Sequence, residues 1–332
     1  MAVQQSGGGN GQGRVVTVFG GSGFVGRHAV RALAKDGWHI RAAVRRPDLA
    51  GHLQPMGGVG QIQAVQSNLR YPASVAAVVQ GADTVINAVG ILVKAGSQTF
   101  QALHVDGARA IARAAREAGV RTLIHVSAIG ADAKSPGVYG RTKAAGEAAV
   151  LEEFPGAIIL RPSIVFGPED QFFNRFAGLA RMAPLLPLIG GGRTKFQPVY
   201  VGDLALGIAA AAAGRAKPGA VYEIGGPDVQ TFRQLLDKTQ RWSGRDKGYL
   251  RLPFWLAKTA AFMTVPLPNT LRPLTVDQVR MLQSDNVVSA KAKADGRTLE
   301  GLGVATPHSA DTIVPEYLER FQAKGQYAHY RG

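Results

Sequence analysis

The hydrophobic pattern of this chain changes period repeatedly from residue 15 onward. Short apolar runs, rich in β-branched residues and without polar alternation, predict buried strands, and the stretches between them repeat every three to four residues, as helices do. The predicted strands cover residues 15–19, 38–44, 62–67, 84–90, 122–127 and 157–160, and the predicted helices include 72–80 and 98–118. Alternation at this spacing predicts an α/β fold built on a doubly wound parallel sheet.

The first predicted strand leads directly into a glycine-rich turn. Gly20, Gly23 and Gly26 follow at three-residue intervals, and a helical pattern begins at Phe24 and Val25. Glycine is required where a turn needs positive φ or where a ligand approaches the backbone closely. A strand, such a turn and a helix N-terminus together offer free N–H groups to a pyrophosphate. The pattern favours a dinucleotide-binding turn of the Rossmann type over an ordinary tight turn.

The second predicted strand ends in two arginines. In dinucleotide-binding folds this position meets the adenosine ribose, where an acid accepts from the 2′-hydroxyl and an arginine suits a 2′-phosphate. Arg45 and Arg46 lie here, and no acid occurs before Asp48. We therefore expect NADP(H) to be preferred over NAD(H), with a pair of exposed surface arginines as the alternative.

Small and polar residues occur where the other predicted strands end. Ligands of doubly wound sheets bind beyond the carboxyl ends of the strands, so these positions are candidates for contact with the cofactor. The remaining members of this predicted cofactor-binding set are Ser67, Asn68, Asn87, Ala88, Val89, Gly90, Ser127 and Pro162.

A tyrosine and a lysine follow the fifth predicted strand. Tyr139 and Lys143 are four residues apart near the start of a predicted helix that runs to about residue 152, so they share one helical face. An ammonium group favours the phenolate form of a neighbouring tyrosine and so lowers its pKa. The same lysine could hold a nicotinamide ribose. We therefore expect a catalytic and cofactor-binding pair, although a tyrosine and a lysine at this spacing are also common by chance.

The second half of the chain predicts a smaller α/β region for substrate or interaction. We divide the chain into a disordered tail over 1–13, a dinucleotide-binding core over 14–165 and a C-terminal region over 166–332. The sheet of the core would be completed by segments near 197–201 and 221–225.

An apolar segment interrupted by prolines covers residues 249–272. It is too interrupted to span a membrane, but Phe254, Trp255 and Phe262 could face acyl chains while its basic residues meet phosphates. In the alternative, the segment is a helix that covers the core of the C-terminal region, and truncating Trp255 would then destabilise the fold.

The charge balance indicates an anionic partner. Lysine and arginine exceed the acidic residues and give a net charge of +15, which suits a phosphorylated cofactor or an anionic membrane surface. Nucleic acid is disfavoured by the low aromatic content and the lack of a recognition motif. The chain has no cysteine, which excludes disulfides and thiolate chemistry. Residues 1–13 do not resemble a signal peptide, and no apolar run is long enough to cross a membrane.

The sequence resembles the short-chain dehydrogenase/reductase superfamily in its extended and atypical branches. The resemblance covers roughly residues 15 to 230 and rests on the glycine turn together with Asn87, Ser127, Tyr139 and Lys143. It implies that the tyrosine acts as acid/base with the lysine as its electrostatic partner. In active relatives a hydroxyl that polarises the substrate carbonyl usually lies at the position of Ala128. Either Ser127 replaces it, or the site lacks that group.

Several further segments are similar to the family of the nucleotide-binding accessory subunit of respiratory complex I, NADH:ubiquinone oxidoreductase alpha subcomplex subunit nine. These segments are 54–57, 167–172, 197–201 and 302–307. This resemblance implies a tightly held NADPH, complex I subunits as partners and no established turnover. It places the protein on the cytoplasmic side of a bacterial inner membrane, as a peripheral subunit, or free in the cytoplasm.

Three functions therefore remain open at the level of sequence. The first is a structural accessory subunit whose bound cofactor stabilises the fold by mass action. The second is an active NAD(P)H-dependent oxidoreductase or epimerase that uses Tyr139, Lys143 and Ser127. The third is a redox-sensing regulator. Ala128 favours the first function, and the intact Tyr139–Lys143 pair favours the second.

Overall fold

The computed structural model describes residues 13–94, 96–263 and 274–322. The predicted tail over 1–13 lies outside these ranges apart from Gly13, as do the last residues of the predicted 249–272 segment.

Seven parallel strands form the central sheet, which confirms the predicted doubly wound α/β fold. The strands are β1 (Val15–Phe19), β2 (His39–Val44), β3 (Ile62–Gln66), β4 (Thr84–Asn87), β5 (Thr122–Val126), β6 (Ile158–Pro162) and β11 (Val221–Ile224). Their order across the sheet is β11-β6-β5-β4-β1-β2-β3, so β2 and β3 lie on one side of β1 and the later strands on the other.

Helices cover both faces of this sheet. The helices of the core are α1 (Phe24–Lys35), α2 (Pro72–Val79), α3 (Gly107–Glu117), α4 (Val138–Glu153) and α6 (Val201–Ala212). One apolar layer packs α1 and α6 against one face, and a second layer packs α2, α3 and α4 against the other.

Two predictions about these elements were wrong in part. The helix predicted over 98–118 begins with a π-helical turn, Gln101–Asp106, and becomes α-helical only from Gly107. The segment near 197–201 does not join the central sheet, because its strand β10 (Val199–Tyr200) pairs instead with β7 (Val165–Phe166). The segment near 221–225 does join it, as the edge strand β11.

The smaller C-terminal region has its own aromatic core. The buried ring of Phe166 meets that of Phe173 edge to face, the buried ring of Phe176 meets that of Phe232 in the same way, and all four pack with leucines of the surrounding helices. The remaining elements are β8 (Leu185–Ile189), β9 (Lys195–Phe196), β12 (Gln230–Thr231), β13 (Gly248–Leu252), α5 (Phe173–Met182), α7 (Phe232–Trp242), α8 (Phe254–Met263), α9 (Val276–Met281), α10 (Ala290–Ala294) and α11 (Ala310–Leu318).

Helix α8 presents two different faces. Ala257 and Ala261 are buried against α9 and the end of β8, whereas Trp255 is 69% exposed and Phe262 is 67% exposed. The ring of Phe254 is only partly buried and lies over Gly190, so the prediction that it faces outward with Trp255 was wrong. The core-covering alternative was also wrong in naming Trp255 as its buried residue. None of the described helices is long and apolar enough to cross a membrane.

Candidate functional site

The three glycines of the first turn have different structural roles. Gly20 has a φ of +76°, a left-handed conformation that favours glycine. A Cβ on Gly26 would lie 2.1 Å from the carbonyl oxygen of Gly20, so this position allows the close approach of helix and turn. Gly23 is less crowded, and a Cβ there would meet only the Gly20 oxygen, at 3.2 Å. The surface beside Gly23 is thus left free for a ligand.

The N-terminus of α1 is suited to an anion. Its N-cap residue is Gly23, which has no side chain to accept from the first N–H groups of the helix, and the first turn carries no acidic residue. Uncapped N–H groups at the positive end of the helix dipole attract a phosphate. Arg27, one turn into the helix, donates to the carbonyl oxygens of Ser22 and Gly23 and steadies the turn. The turn therefore fits the pyrophosphate of a dinucleotide.

The two arginines after β2 are not equivalent. Arg46 forms a bidentate pair with Asp48, with its Nε 3.0 Å from Oδ1 and its Nη2 2.7 Å from Oδ2. Asp48 therefore competes with a 2′-phosphate for Arg46, contrary to the expectation that both arginines are free to bind that phosphate. The pair forms because the turn at Pro47 brings the two side chains together. Arg45 is exposed and has no ion pair within the described part of the chain.

Backbone hydrogen bonds between neighbouring strand ends bring the other predicted residues to one edge of the sheet. In each of these bonds a backbone N–H donates to a backbone carbonyl oxygen of the neighbouring strand. The four pairs are Gly20 with Ala43, Ala88 with Phe19, Ser67 with Val44 and Ser127 with Leu160. This edge is the carboxyl edge, because all seven strands are parallel. Arg45, Asn68, Val89, Gly90 and Pro162 lie at or directly after the same strand ends. Their contact with a cofactor stays a prediction.

Tyr139 and Lys143 lie on α4 as the spacing predicts, but their ionisation differs from the expectation. Burial raises the pKa of Tyr139 to about 12, so the phenol stays protonated instead of becoming acidic. Burial lowers the pKa of Lys143 to about 8, and its Nζ donates to the carbonyl oxygen of Val126 at 2.8 Å. The prediction that the lysine lowers the pKa of the tyrosine was wrong, because burial opposes both charged forms.

Buried polar atoms without partners occur at the end of β5. The Oγ of Ser127 and the Nε2 of His125 have no hydrogen bond among the described residues, although both atoms are buried. The Nδ1 of His125 is 3.0 Å from the amide nitrogen of Asn87, and burial lowers the pKa of this histidine well below its ordinary value. A buried hydroxyl without a partner is costly unless a ligand or water satisfies it. Ser127 therefore fits a polar group of a bound cofactor or substrate.

His104 was missed by the sequence analysis. It lies in the π-helical turn, stacks on Phe100 and meets the ring of Tyr139 edge to face at 5.4 Å between centroids. Its Nε2 accepts from the N–H of Ile91 at 3.2 Å, and its Nδ1 is 3.1 Å from the hydroxyl of Thr142. Burial lowers its pKa to about 3, so the ring is neutral. His104 therefore joins the loop after β4 to the helix that carries Tyr139.

One residue of the C-terminal region reaches the strand ends, and another reaches the start of α4. Asn286 accepts from the hydroxyl of Ser163 at 2.6 Å and donates to the carbonyl oxygen of Ile129 at 3.0 Å, so it ties the loops after β5 and β6. Asp277 accepts from the first N–H groups of α4. The capping box of α9 is visible in the sequence, but no local pattern indicates which helix Asp277 would contact.

Comparisons with known proteins point to nicotinamide cofactors and to one respiratory subunit. Residues 20–155 match a family described as NAD(P)H-binding. The chain is 38% identical over 328 residues to NADH dehydrogenase (ubiquinone) 1 alpha subcomplex subunit 9, mitochondrial, of Arabidopsis thaliana, a match that covers 94% of this chain and 79% of the plant protein. The mouse protein of that name is 39% identical over 219 residues, which cover 65% of this chain and 58% of the mouse protein.

Two further similarities concern reductases. A ceramide reductase of Caulobacter vibrioides is 37% identical over 175 residues, which cover 53% of this chain and 54% of that enzyme. The crystal structure of an NADPH-dependent quinone oxidoreductase of Escherichia coli, complexed with NADPH, has a TM-score of 0.71 at 21% identity and covers 91% of this chain and 99% of its own. At that identity the structure supports the fold alone.

Proposed function

Because this chain belongs to the family of NADH dehydrogenase (ubiquinone) 1 alpha subcomplex subunit 9, we propose that it is an NADP(H)-binding accessory subunit of a respiratory complex I. The observation that carries the proposal is the similarity to the plant subunit, which runs through the dinucleotide-binding core and the smaller C-terminal region alike. The lack of a substrate-polarising hydroxyl at Ala128 and the raised pKa of Tyr139 support a role with little turnover.

The strand-end residues fit a bound NADPH. Uncapped N–H groups at Gly23 and the start of α1 would hold the pyrophosphate, and Arg45 would pair with the 2′-phosphate. Lys143 and Ser127 would hold the nicotinamide half of the cofactor. A cofactor that binds the folded chain alone raises its stability by mass action. In this role the bound cofactor stabilises the folded subunit and is not consumed in a reaction.

Co-purification tests the proposed partnership. The full chain with an affinity tag should be recovered from mildly solubilised membranes of its source cell together with NADH:ubiquinone oxidoreductase activity. Mass spectrometry of the same fraction should detect other complex I subunits. Recovery of the chain without any of these subunits would contradict the proposal.

Replacing Arg45 by aspartate should narrow or reverse the preference for NADPH. The loss of a charge-assisted hydrogen bond to the 2′-phosphate should reduce the binding free energy of NADPH by on the order of 1.5–3 kcal/mol. Calorimetric titration with NADPH and with NADH measures the difference between the two affinities. Arg46→Ala is the matched control and should change the preference less, because Arg46 is already paired with Asp48. Equal affinities of the wild-type protein for NADPH and NADH would refute the cofactor assignment.

We further propose that the exposed face of α8 lies on an anionic membrane surface. Trp255, Phe262 and Met263 are exposed on this face, and Arg251 and Lys258 flank it. Apolar side chains at the surface can enter the headgroup region while each basic residue near anionic lipid adds about 1 kcal/mol. A peripheral position on a membrane complex would bring this face to the lipid.

Vesicle flotation tests this contact. Replacing Trp255 and Phe262 together by serine should release the protein from anionic vesicles without changing its melting temperature, because both side chains are exposed. Phe254→Ala is the control, and it should lower the melting temperature because the Phe254 ring packs over Gly190. Wild-type protein that fails to float at low salt would contradict the proposal.

An active reductase is the second candidate function. It is favoured by the position of Tyr139 and the buried Lys143 four residues apart on α4 and by the similarity to a ceramide reductase. The substrate would be a lipid ketone of the ceramide class, reached from the membrane surface. NADPH, when bound, supplies a hydride. The protonated phenol of Tyr139 would donate its proton to the carbonyl oxygen, and Ser127 would hold that oxygen, so that the ketone becomes an alcohol.

A further inference from the structure

The helix that carries Tyr139 and Lys143 has no N-cap of its own. Helix α4 begins at Val138, and its N-cap residue is Gly137, which has no side chain to accept a hydrogen bond. The first N–H groups of a helix need acceptors when they lie inside a protein. Serine, threonine, aspartate and asparagine are the preferred N-cap residues because their side-chain oxygens provide such an acceptor.

Asp277 provides the missing acceptors from the other end of the chain. Its Oδ1 accepts from the N–H of Val138 at 2.5 Å and its Oδ2 accepts from the N–H of Tyr139 at 2.9 Å. Both carboxylate oxygens are used, and a carboxylate at a helix N-terminus also interacts favourably with the helix dipole. One side chain therefore fixes the N-terminal turn of α4, and the second of these N–H groups belongs to Tyr139 itself.

Asp277 is held firmly in this position. It lies in the first turn of α9, which starts with a reciprocal capping box between Thr275 and Gln278. Val279, half a turn further, is fully buried with Ala257 and Ala261 of α8. The position of Asp277 therefore depends on the packing of α9 under α8.

Little space is left for a side chain at the N-cap position itself. A Cβ on Gly137 would lie 3.3 Å from the Cγ of Met281 and 3.4 Å from Asp277 Oδ1. A side chain at 137 would therefore be in tight contact with the residues of α9. The absence of a side chain at Gly137 and the presence of a carboxylate at Asp277 are two parts of one arrangement.

We propose that Asp277 is a positioning residue of the cofactor site, which sets α4 so that Tyr139 and Lys143 meet the nicotinamide half of NADPH. This inference rests on the proposed binding of NADPH. The C-terminal segment then completes a site whose other half, the glycine turn and Arg45, is built from the first fifty residues. Loss of Asp277 should weaken contacts to the nicotinamide half and leave contacts to the adenosine half unchanged.

Binding of a whole cofactor and of a fragment separates these two halves. Asp277→Ala in the full chain should weaken NADPH binding by about tenfold, the factor expected for loss of a charge-assisted cap. Asp277→Asn, which keeps one acceptor oxygen, should lose less of the affinity for NADPH than Asp277→Ala does. Adenosine 2′,5′-bisphosphate, which lacks the nicotinamide half, should bind all variants like the wild type. Calorimetry of both ligands provides the measurement.

Asp285→Asn is the matched control. Asp285 is an exposed carboxylate of the same segment that accepts from the backbone N–H of Lys195, outside α4, so its loss should leave both affinities unchanged. Equal NADPH affinity of Asp277→Ala and wild type would overturn the inference, and so would an equal loss for NADPH and the fragment, which indicates a general structural role. A wild-type protein that binds no NADPH would instead refute the proposed function on which the inference rests.

Discussion

Replacing Gly23 by valine should abolish NADPH binding and leave the protein folded. The backbone conformation at Gly23, with φ −74° and ψ 175°, is one that valine adopts readily, and a Cβ there meets only the Gly20 oxygen. The added methyl groups would instead occupy the surface where the pyrophosphate approaches the uncapped start of α1. Calorimetry should detect no NADPH binding, while the melting temperature without cofactor should stay within a few degrees of the wild-type value.

A second glycine of the same turn provides the contrast. Gly26→Ala places a Cβ 2.1 Å from the carbonyl oxygen of Gly20, a clash with backbone that cannot be relieved by a side-chain rotation. Overpacking costs about 1–3 kcal/mol of stability, so this variant should unfold at a clearly lower temperature. If Gly23→Val keeps wild-type affinity for NADPH, the turn has a structural role alone and the cofactor assignment fails.

Replacing Tyr139 by phenylalanine should distinguish the two proposed functions. If the protein is a reductase, the loss of the proton donor should reduce turnover by about 10²- to 10⁴-fold, with little change in NADPH affinity. If the protein is an accessory subunit, the wild type and the variant should show the same lack of turnover. Single-turnover oxidation of bound NADPH with a lipid ketone, followed by absorbance, gives the rate for both proteins.

The pH dependence of NADPH binding adds an independent check on the same helix. The pKa of Lys143 is lowered to about 8, so this lysine loses its charge as the pH rises through that value. The affinity for NADPH should therefore fall above pH 8, since the neutral amine holds the cofactor less well. Lys143→Met should bind weakly at every pH and show no such decline. A decline of equal size in that variant would assign it to another group.

The part of the site that follows from local chain geometry could be predicted from the sequence. A strand, three glycines at fixed spacing and a helical pattern are sufficient to place Gly20, Gly23 and Gly26 in the turn. Once the strands are parallel, Asn87 and Ser127 necessarily lie at the same edge of the sheet. These predictions need nothing beyond periodicity and topology.

The parts that were wrong or missed depend on contacts between residues distant in the chain, or on burial. Asp48 was visible beside Arg46, but their pairing depends on the geometry of the intervening turn. The raised pKa of Tyr139 depends on how completely α4 is covered, which a spacing of four residues does not indicate. Asp277 contacts Val138 across 139 positions of sequence, and no local pattern relates the two.

The way Asn286 ties the strand-end loops has a consequence for the order of folding. Its contacts to Ser163 and Ile129 span 123 and 157 positions, so they close very long loops. Closing such loops costs chain entropy before the contacts are gained, and folds rich in them form slowly. During synthesis the seven strands of the sheet can pair once Ile224 has left the ribosome. The strand-end loops can be fixed only after Asn286 has also been made, more than sixty residues later. We expect the cofactor cleft of a new chain to take its final shape only after the central sheet has formed.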